Sequence, residues 1–303
     1  MSSAALDAWL AGAPSLAPLA QALARAAASE APILVLGETG TGRTALARAL
    51  AAASRRAEGP RVEFDPGTIP AELFESELFG HRAGAFTGAE RANPGRVERA
   101  RGGTLLIDPV EELPLAVQPK LLRLLAERRF APLGGEEIEA DVRFLAVGPD
   151  DLAARVARGA FREDLFYRLE VLTFRVPPLR ERRADLPALT DALLADLGVR
   201  FARPGAVLSE RARGWLAEHS WPGNARQLRN VLERELLAHD GLRLDPEPPT
   251  DPAVARPRSL AEAEREAIRV ALAATRGHQE KAAALLGISR KGLWEKRRRL
   301  GVP

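Results

Sequence analysis

One segment constrains this chain more than any other: ILVLGETGTGRTALARALAA, residues 33–52. A short apolar run, Ile33 to Leu36, feeds a glycine-rich stretch made of Gly37, Glu38, Thr39, Gly40, Thr41, Gly42, Arg43 and Thr44. That stretch opens directly into a helical pattern. Strand, glycine loop and helix in this order are the setting of a phosphate-binding loop. Glycines let consecutive backbone N–H groups curl around phosphate oxygens, and the helix N-terminus adds its positive dipole. The usual loop carries lysine where this chain has Arg43, so a plain glycine turn stands as the alternative reading.

The rest of the chain extends the pattern. Thr104–Ile107 and Val142–Val147 are further apolar runs, and Val171–Val176 is a fourth, closed by Pro177 and Pro178. Helical patterns separate them. Strands alternating with helices predict an α/β fold, a parallel sheet covered by helices on both faces. Asp108 ends the Thr104 run beside the glycine loop, where an aspartate together with Thr44 can hold Mg2+; it can equally start a turn. Ser15 to Ser29 predicts an amphipathic helix. Beyond Pro187 the pattern is all-helical, with helices expected at Leu189–Leu197, Glu210–Glu218 and Ala225–Ala238. The last is entered through Trp221, Pro222, Gly223 and Asn224, with Asn224 read as the cap. Leu244 to Pro257 holds five prolines and reads as a linker. The expected domains are therefore 1–183 (α/β), 184–243 (a helical lid), 244–258 (linker) and 259–303 (a small all-α domain).

Composition narrows the function classes. The 303 residues hold no cysteine, which removes disulfides, thiolate metal sites and cysteine nucleophiles and fits a reducing, cytoplasmic location. No run of about 18 uncharged apolar residues occurs, so no membrane span is expected. The N-terminus lacks the charge-then-apolar order of a signal peptide. About a dozen residues precede the fold, too few for a separate sensing domain. The net charge of +3 is uneven: from Ser259 onward ten Lys/Arg stand against five Asp/Glu, so this end carries +5 and the remainder −2. A basic end on a near-neutral body points to a polyanion as the partner of the tail; a solvated charged helix is the bland alternative. The same segment spells a helix-turn-helix. Gln279–Leu286 is one helix, Gly287 and Ile288 the turn, and Ser289–Leu300 a second helix capped by Ser289. Ala282, Ala283, Leu285, Leu286, Ile288 and Leu293 supply the seam. Arg290 and Lys291 stand at the end of the second helix that meets base edges in the major groove. Ser289, Trp294, Lys296, Arg297 and Arg298, with Arg299 beside them, complete the expected DNA-contacting set.

Longer motifs carry a family resemblance. Residues 75–108, ESELFGHRAGAFTGAERANPGRVERARGGTLLID, resemble the AAA+ ATPases that activate sigma-54 RNA polymerase, the bacterial enhancer-binding proteins. The likeness continues through FREDLFYRL (161–169), VPPLRERRADLP (176–187) and WPGNARQLRNVLE (221–233). It ends in KAAALLGISRKGLWEKRRRLG (281–301), which is similar to Fis-type DNA-binding helices. The resemblance implies a P-loop sheet, a helical lid and a Fis-type helix-turn-helix. It further implies ATP and Mg2+ at Gly37–Thr44 with Asp108. Arg162 and Arg168 would be arginine fingers reaching a neighbouring subunit's nucleotide, and Arg226 a sensor arginine of the lid. Gly84, Ala85, Phe86, Thr87, Gly88 and Ala89 would form the sigma-factor loop. Partners would be promoter-upstream DNA, sigma-54 RNA polymerase and further copies of the chain, as a dimer or a closed ring, or active relatives.

The chain departs from that family at its chemistry. Arg43 replaces the loop lysine. Pro109 replaces the glutamate that should follow Asp108 and polarise the attacking water. Asp65 stands where the family has asparagine, and Gly148 with Pro149 where Thr-Asn senses the γ-phosphate. Glu111 and Glu112 follow closely, but Glu112 matches a separate acidic position and Glu111 lies three residues beyond Asp108. The expectation is a DNA-binding regulator of the sigma-54 activator type whose ATP hydrolysis is weak or lost. The competing reading is a fully hydrolysing activator that remodels the closed promoter complex. A metabolic P-loop kinase is the poorest fit, since it leaves the basic tail unexplained.

Overall fold

The computed structural model describes residues 4–249 and, in the C-terminal part, residues 268, 272, 275, 278–286, 288 and 290–300. The chain divides into two compact units, 1–248 and 249–303.

Five parallel strands form the centre of the first unit: β1 (Ile33–Gly37), β2 (Arg61–Phe64), β3 (Thr104–Ile107), β4 (Arg143–Gly148) and β5 (Leu172–Val176). They lie in the order β2-β3-β4-β1-β5. Ile33 of β1 is in register with Leu145 of β4 on one side and Leu172 of β5 on the other. Central parallel strands are buried on both faces and therefore read as unbroken apolar runs. Alternate side chains serve opposite cores. Leu34, Leu105, Ile107, Phe144 and Ala146 pack with Phe64, Phe74, Leu121, Leu124, Phe161 and Leu165 on one face. Ile33, Val35, Leu106, Leu145 and Val147 pack with Leu23, Leu46 and Leu50 on the other. The carboxyl ends of β1, β3 and β4 come together where the chain order of the strands changes, the place where such sheets bind ligands.

Three local expectations need correction. Strand β2 is absent from the sequence reading because only Phe64 of its four residues is buried; a half-exposed edge strand gives no apolar run. Ser15–Ser29 is not one helix. Pro14–Leu19 is 3-10 and the α-helix begins at Ala20, because Pro18 has no N–H to give to an α-helical ladder. The expected linker also begins too early. Leu244 is fully buried in the lid core and pairs with Leu208. Trp215 Nε1 donates to Pro246 O at 3.0 Å and Arg211 pairs with Glu247 at 3.0 Å, so residues up to Glu247 are held by the lid.

The lid is built from helices Leu186–Arg200, Glu210–Glu218 and Asn224–Ala238. Leu179, upstream of the expected boundary at 184, already belongs to its core with Leu186, Leu197, Trp221, Leu228 and Leu232. Trp221 is fully buried, with its Nε1 donating to Leu216 O at 2.9 Å. Ser209 caps the second lid helix by accepting from Ala212 N at 3.0 Å, as a hydroxyl at that position should. In the second unit, helices Gln279–Leu285 and Arg290–Leu300 pack through Ala282, Ala283 and Leu293, with Ile268 buried beside them. Ser289 and Gly287 lie outside the described residues, as do the side chains of Leu285, Lys291, Arg298 and Arg299. Among the described residues no helix is long and apolar enough to cross a membrane.

Candidate functional site

The glycine loop leaves the tip of β1 and enters the helix Arg43–Ala52. It borders a cleft of about 660 Å³ lined by the loop, the tips of β2 and β3, and the lid helix that carries Arg226. Gly40 has φ +81°, and a Cβ there would lie 2.4 Å from Gly223 O. Only glycine lets the loop turn this way while the lid comes so close.

Three lid-side residues hold the loop. Glu38 receives both guanidinium nitrogens of Arg180 at 2.7 and 2.6 Å, and the Arg180 hydrogen bond is the main reason its carboxyl sits below the usual range. Arg182, almost fully buried, donates to Thr41 O at 2.7 Å and sits 3.6 Å from the buried Asp185. Asn224 donates to Thr39 O at 3.0 Å and accepts from Leu179 N at 2.7 Å. Asn224 is thus not a helix cap. Its φ is +51°, the helix N-cap is Gly223, and its amide is spent on the loop and on Leu179. None of these three was anticipated: an Arg-rich stretch reads as solvated surface, and each loop partner lies more than 140 positions away.

The metal seat has suitable donors. Thr44 Oγ1 donates to Asp108 Oδ2 at 2.5 Å, so one hydroxyl and one carboxylate converge beside the loop. Hard oxygen donors of this kind suit Mg2+, which is held by one or two protein groups and completes its shell with phosphate and water.

Arg43 does not reach out of the loop. Its side chain folds back so that its Cδ would be 3.3 Å from a Cβ on Gly37. Its Nη1 donates to Gly37 O at 2.6 Å and also to Gly148 O. The guanidinium therefore ties the tip of β1 to the tip of β4, and burial lowers its pKa. Pro109 follows Asp108 on the cleft wall, and Asp65 accepts from Gly67 N at 3.0 Å, closing its own short turn. Glu111 also faces the cleft. One of its carboxylate oxygens is shut from solvent with no hydrogen-bond partner, and burial pushes its pKa up. Gly148 is walled in by Val110, Leu152 and Leu36, each within 3.4 Å of where a Cβ would stand.

The other expected residues lie elsewhere. Arg162 forms a two-pronged pair with Asp164 at 3.0 and 2.7 Å, and Arg168 Nη2 donates to Leu125 O at 3.0 Å. Neither lines the cleft of its own chain. Gly84 and Gly88 both have positive φ, and Gly84 N donates to Ala89 O at 2.8 Å. This makes a tight reversal with Ala89 buried, Thr87 exposed and Phe86 42% exposed, its ring edge-on to His81 at 5.0 Å. The loop is rooted in a neighbour: Arg82 N donates to Leu133 O at 3.0 Å and Leu133 N to Gly80 O at 2.9 Å. Leu133 sits in the turn of the hairpin formed by Arg129–Phe130 and Ile138–Glu139. In the second unit Arg290 and Trp294 are exposed, while Lys296 and Arg297 are half-buried.

Comparison with known proteins gives three family matches in chain order. They are the sigma-54 interaction domain over residues 10–175, the AAA+ ATPase lid domain over 180–251, and the Fis family of bacterial regulatory proteins over 259–300. The alginate biosynthesis transcriptional regulatory protein AlgB of Pseudomonas aeruginosa is 40% identical over 299 residues, covering 95% of this chain and 66% of its own. The C4-dicarboxylate transport transcriptional regulatory protein DctD of Rhizobium meliloti is 42% identical over 291 residues, covering 95% of this chain and 63% of its own. The chain thus spans slightly less than two thirds of the length of these two relatives. Crystal structures of NtrX from Brucella abortus with ADP and with ATP match at a TM-score of 0.70 in each case. Their identities are 31% and 33%; both matches cover 95% of this chain and 69% and 68% of theirs.

Proposed function

The chain belongs to the sigma-54-dependent transcriptional regulators, with an AAA+ lid and a Fis-type helix-turn-helix, and from that premise we propose a regulator that binds nucleotide and promoter-upstream DNA while hydrolysing ATP weakly or not at all. The glycine loop, Thr44 with Asp108, and Arg226 hold the nucleotide and its Mg2+. Arg290, Lys291 and the basic end of the second tail helix hold DNA. Gly84–Ala89 meets the sigma-54 polymerase, and Arg162 and Arg168 reach a neighbouring copy in a ring.

The observation that carries the hydrolysis part is Arg43. A lysine at this position reaches the β- and γ-phosphates as a mobile point charge. Here the cation gives Nη1 to two backbone carbonyls within the protein floor. Pro109 adds no group that can orient water, a role worth ~10²–10⁴ in rate. Nucleotide binding draws on backbone N–H groups and the helix dipole, which these changes leave in place.

The test is steady-state phosphate release measured beside ATP binding on the same preparation. Release near background with measurable binding is the expected result. Robust turnover that disappears in Arg162→Ala would return the chain to the ATP-driven remodelling reading.

A further inference from the structure

The cleft is not charged as a triphosphate site should be. Four carboxylates line it, Asp65, Asp108, Glu111 and Glu112, against four arginines, Arg43, Arg48, Arg226 and Arg229. Two of those arginines are already committed. Arg48 pairs with Glu63 at 2.9 and 2.7 Å, and Arg229 with Asp196 at 2.7 Å. Arg43 is folded onto Gly37 O and Gly148 O.

Glu111 is the anomaly among the carboxylates. It has a buried oxygen with no hydrogen-bond partner, and a buried polar atom left unpaired is costly. Arg43 and Glu111 line the same cleft, and the opposite charge of each favours the ionised form of the other. In a phosphate-loop fold, the loop cation and the tips of the strands beside Asp108 face the terminal phosphate. The cleft wall beyond Asp108 therefore already holds a protein carboxylate, in the same cleft as the loop cation. A third phosphate there would bring further negative charge against Glu111, and Arg43, turned onto Gly37 O and Gly148 O, does little to offset it. The α- and β-phosphates would rest on the backbone N–H groups of Gly40–Thr44.

We propose that Glu111, on the cleft wall three residues beyond Asp108, occupies the terminal-phosphate end of the cleft and makes this a site selective for nucleoside diphosphates over triphosphates. The proposal rests on the reading of the cleft as a nucleotide site and names which nucleotide it keeps. It would make the bound state of the regulator a constant one, set by a diphosphate rather than by a cycle of hydrolysis.

The test is calorimetric titration of ADP and of ATP, each with Mg2+, into the full chain and its Glu111→Gln, Glu111→Ala and Glu112→Gln variants. Unfolding curves recorded alongside show that each variant is folded. ADP should bind at least about tenfold more tightly than ATP, a difference of roughly 1.4 kcal/mol. Glu111→Gln and Glu111→Ala should raise ATP affinity until the two nucleotides bind alike, leaving ADP within about twofold; Glu112→Gln should leave the preference intact. Wild-type ATP binding as tight as ADP overturns the selectivity while leaving the nucleotide site standing, as does a Glu111→Gln variant that weakens both nucleotides equally. Binding of neither nucleotide would overturn the site itself and the selectivity with it.

Discussion

Asn224 offers a quantitative check on how the lid grips the loop. It is fully buried, and Asn224→Ala removes three hydrogen bonds at once, the longest a 3.4 Å bond from its Nδ2 to Glu38 Oε2. Leu179 N, in the buried interior, loses its 2.7 Å acceptor; an unsatisfied buried N–H costs about 1–3 kcal/mol. The 3.0 Å bond to Thr39 O, whose carbonyl can turn to water, contributes about 0.5–1.5 kcal/mol. The backbone adds a third effect, because at φ +51° an alanine Cβ costs about 1–2 kcal/mol where asparagine is better tolerated. The expected loss is roughly 2.5–6.5 kcal/mol. Asn224→Gly deletes the same three bonds without the Cβ, so it should be milder by about 1 kcal/mol, the reverse of the usual order of these residues in a helix. Urea titration of both variants, followed by tryptophan fluorescence, reads the difference. A loss below about 1 kcal/mol for alanine would show that the amide is not what joins lid to loop. Glycine as damaging as alanine would show that the backbone argument is wrong.

Three further outcomes are expected. Burial holds the Glu111 carboxyl above its ordinary value of 4.5, so the folded state keeps a proton that the unfolded chain has released; stability is highest at low pH and falls as pH rises through the raised value. Glu111→Gln should therefore stabilise the protein at pH 7, with the gain vanishing as unfolding is repeated at progressively lower pH; a constant gain across the range would remove titration as the cause. Phe86→Ala and Thr87→Ala should abolish association with sigma-54 in a pull-down while leaving nucleotide binding unchanged, since neither residue lines the cleft; undiminished capture would take the loop out of the interaction. Reversing Arg290 and Lys291 to glutamate should eliminate specific DNA binding measured by fluorescence anisotropy, and the parent affinity should drop steeply with salt; retained specific binding would dismiss the tail as the DNA-reading element.

Some parts of this architecture were legible in the chain and others were not, for physical reasons. The three central strands announce themselves because burial on both faces leaves no room for polar residues: Thr104–Ile107 is buried throughout. Edge strand β2 carries Arg61 and Glu63 outward and hides. The glycine loop was legible because Gly40 and Gly42 need positive φ in a fixed order. The grip on that loop was not, because Arg180–Glu38, Arg182–Thr41 and Asn224–Thr39 join residues more than 140 positions apart. Periodicity records local neighbours, and these contacts have none. The place of Arg43 was half legible: the substitution shows in the sequence, but its retreat onto Gly37 and Gly148 depends on where the tip of β4 lies. Glu111 reads as one more acidic turn residue until its oxygen is found buried.

The rooting of the 84–89 loop has a mechanical meaning. Phe86 stands at the end of a short arm whose hinge is not free, since backbone hydrogen bonds weld Arg82 and Gly80 to Leu133. Leu133 belongs to a hairpin that begins directly after the helix Gln118–Glu127. That helix carries two further attachments: the guanidinium of Arg168 grips Leu125 O, and Gln118 accepts from Arg162 N at 2.8 Å. A load applied at Phe86 would thus pass along a hydrogen-bonded run that reaches Arg162 and Arg168, neither of which lines the chain's own cleft. The arm that carries Phe86 and the backbone around both arginines share one support.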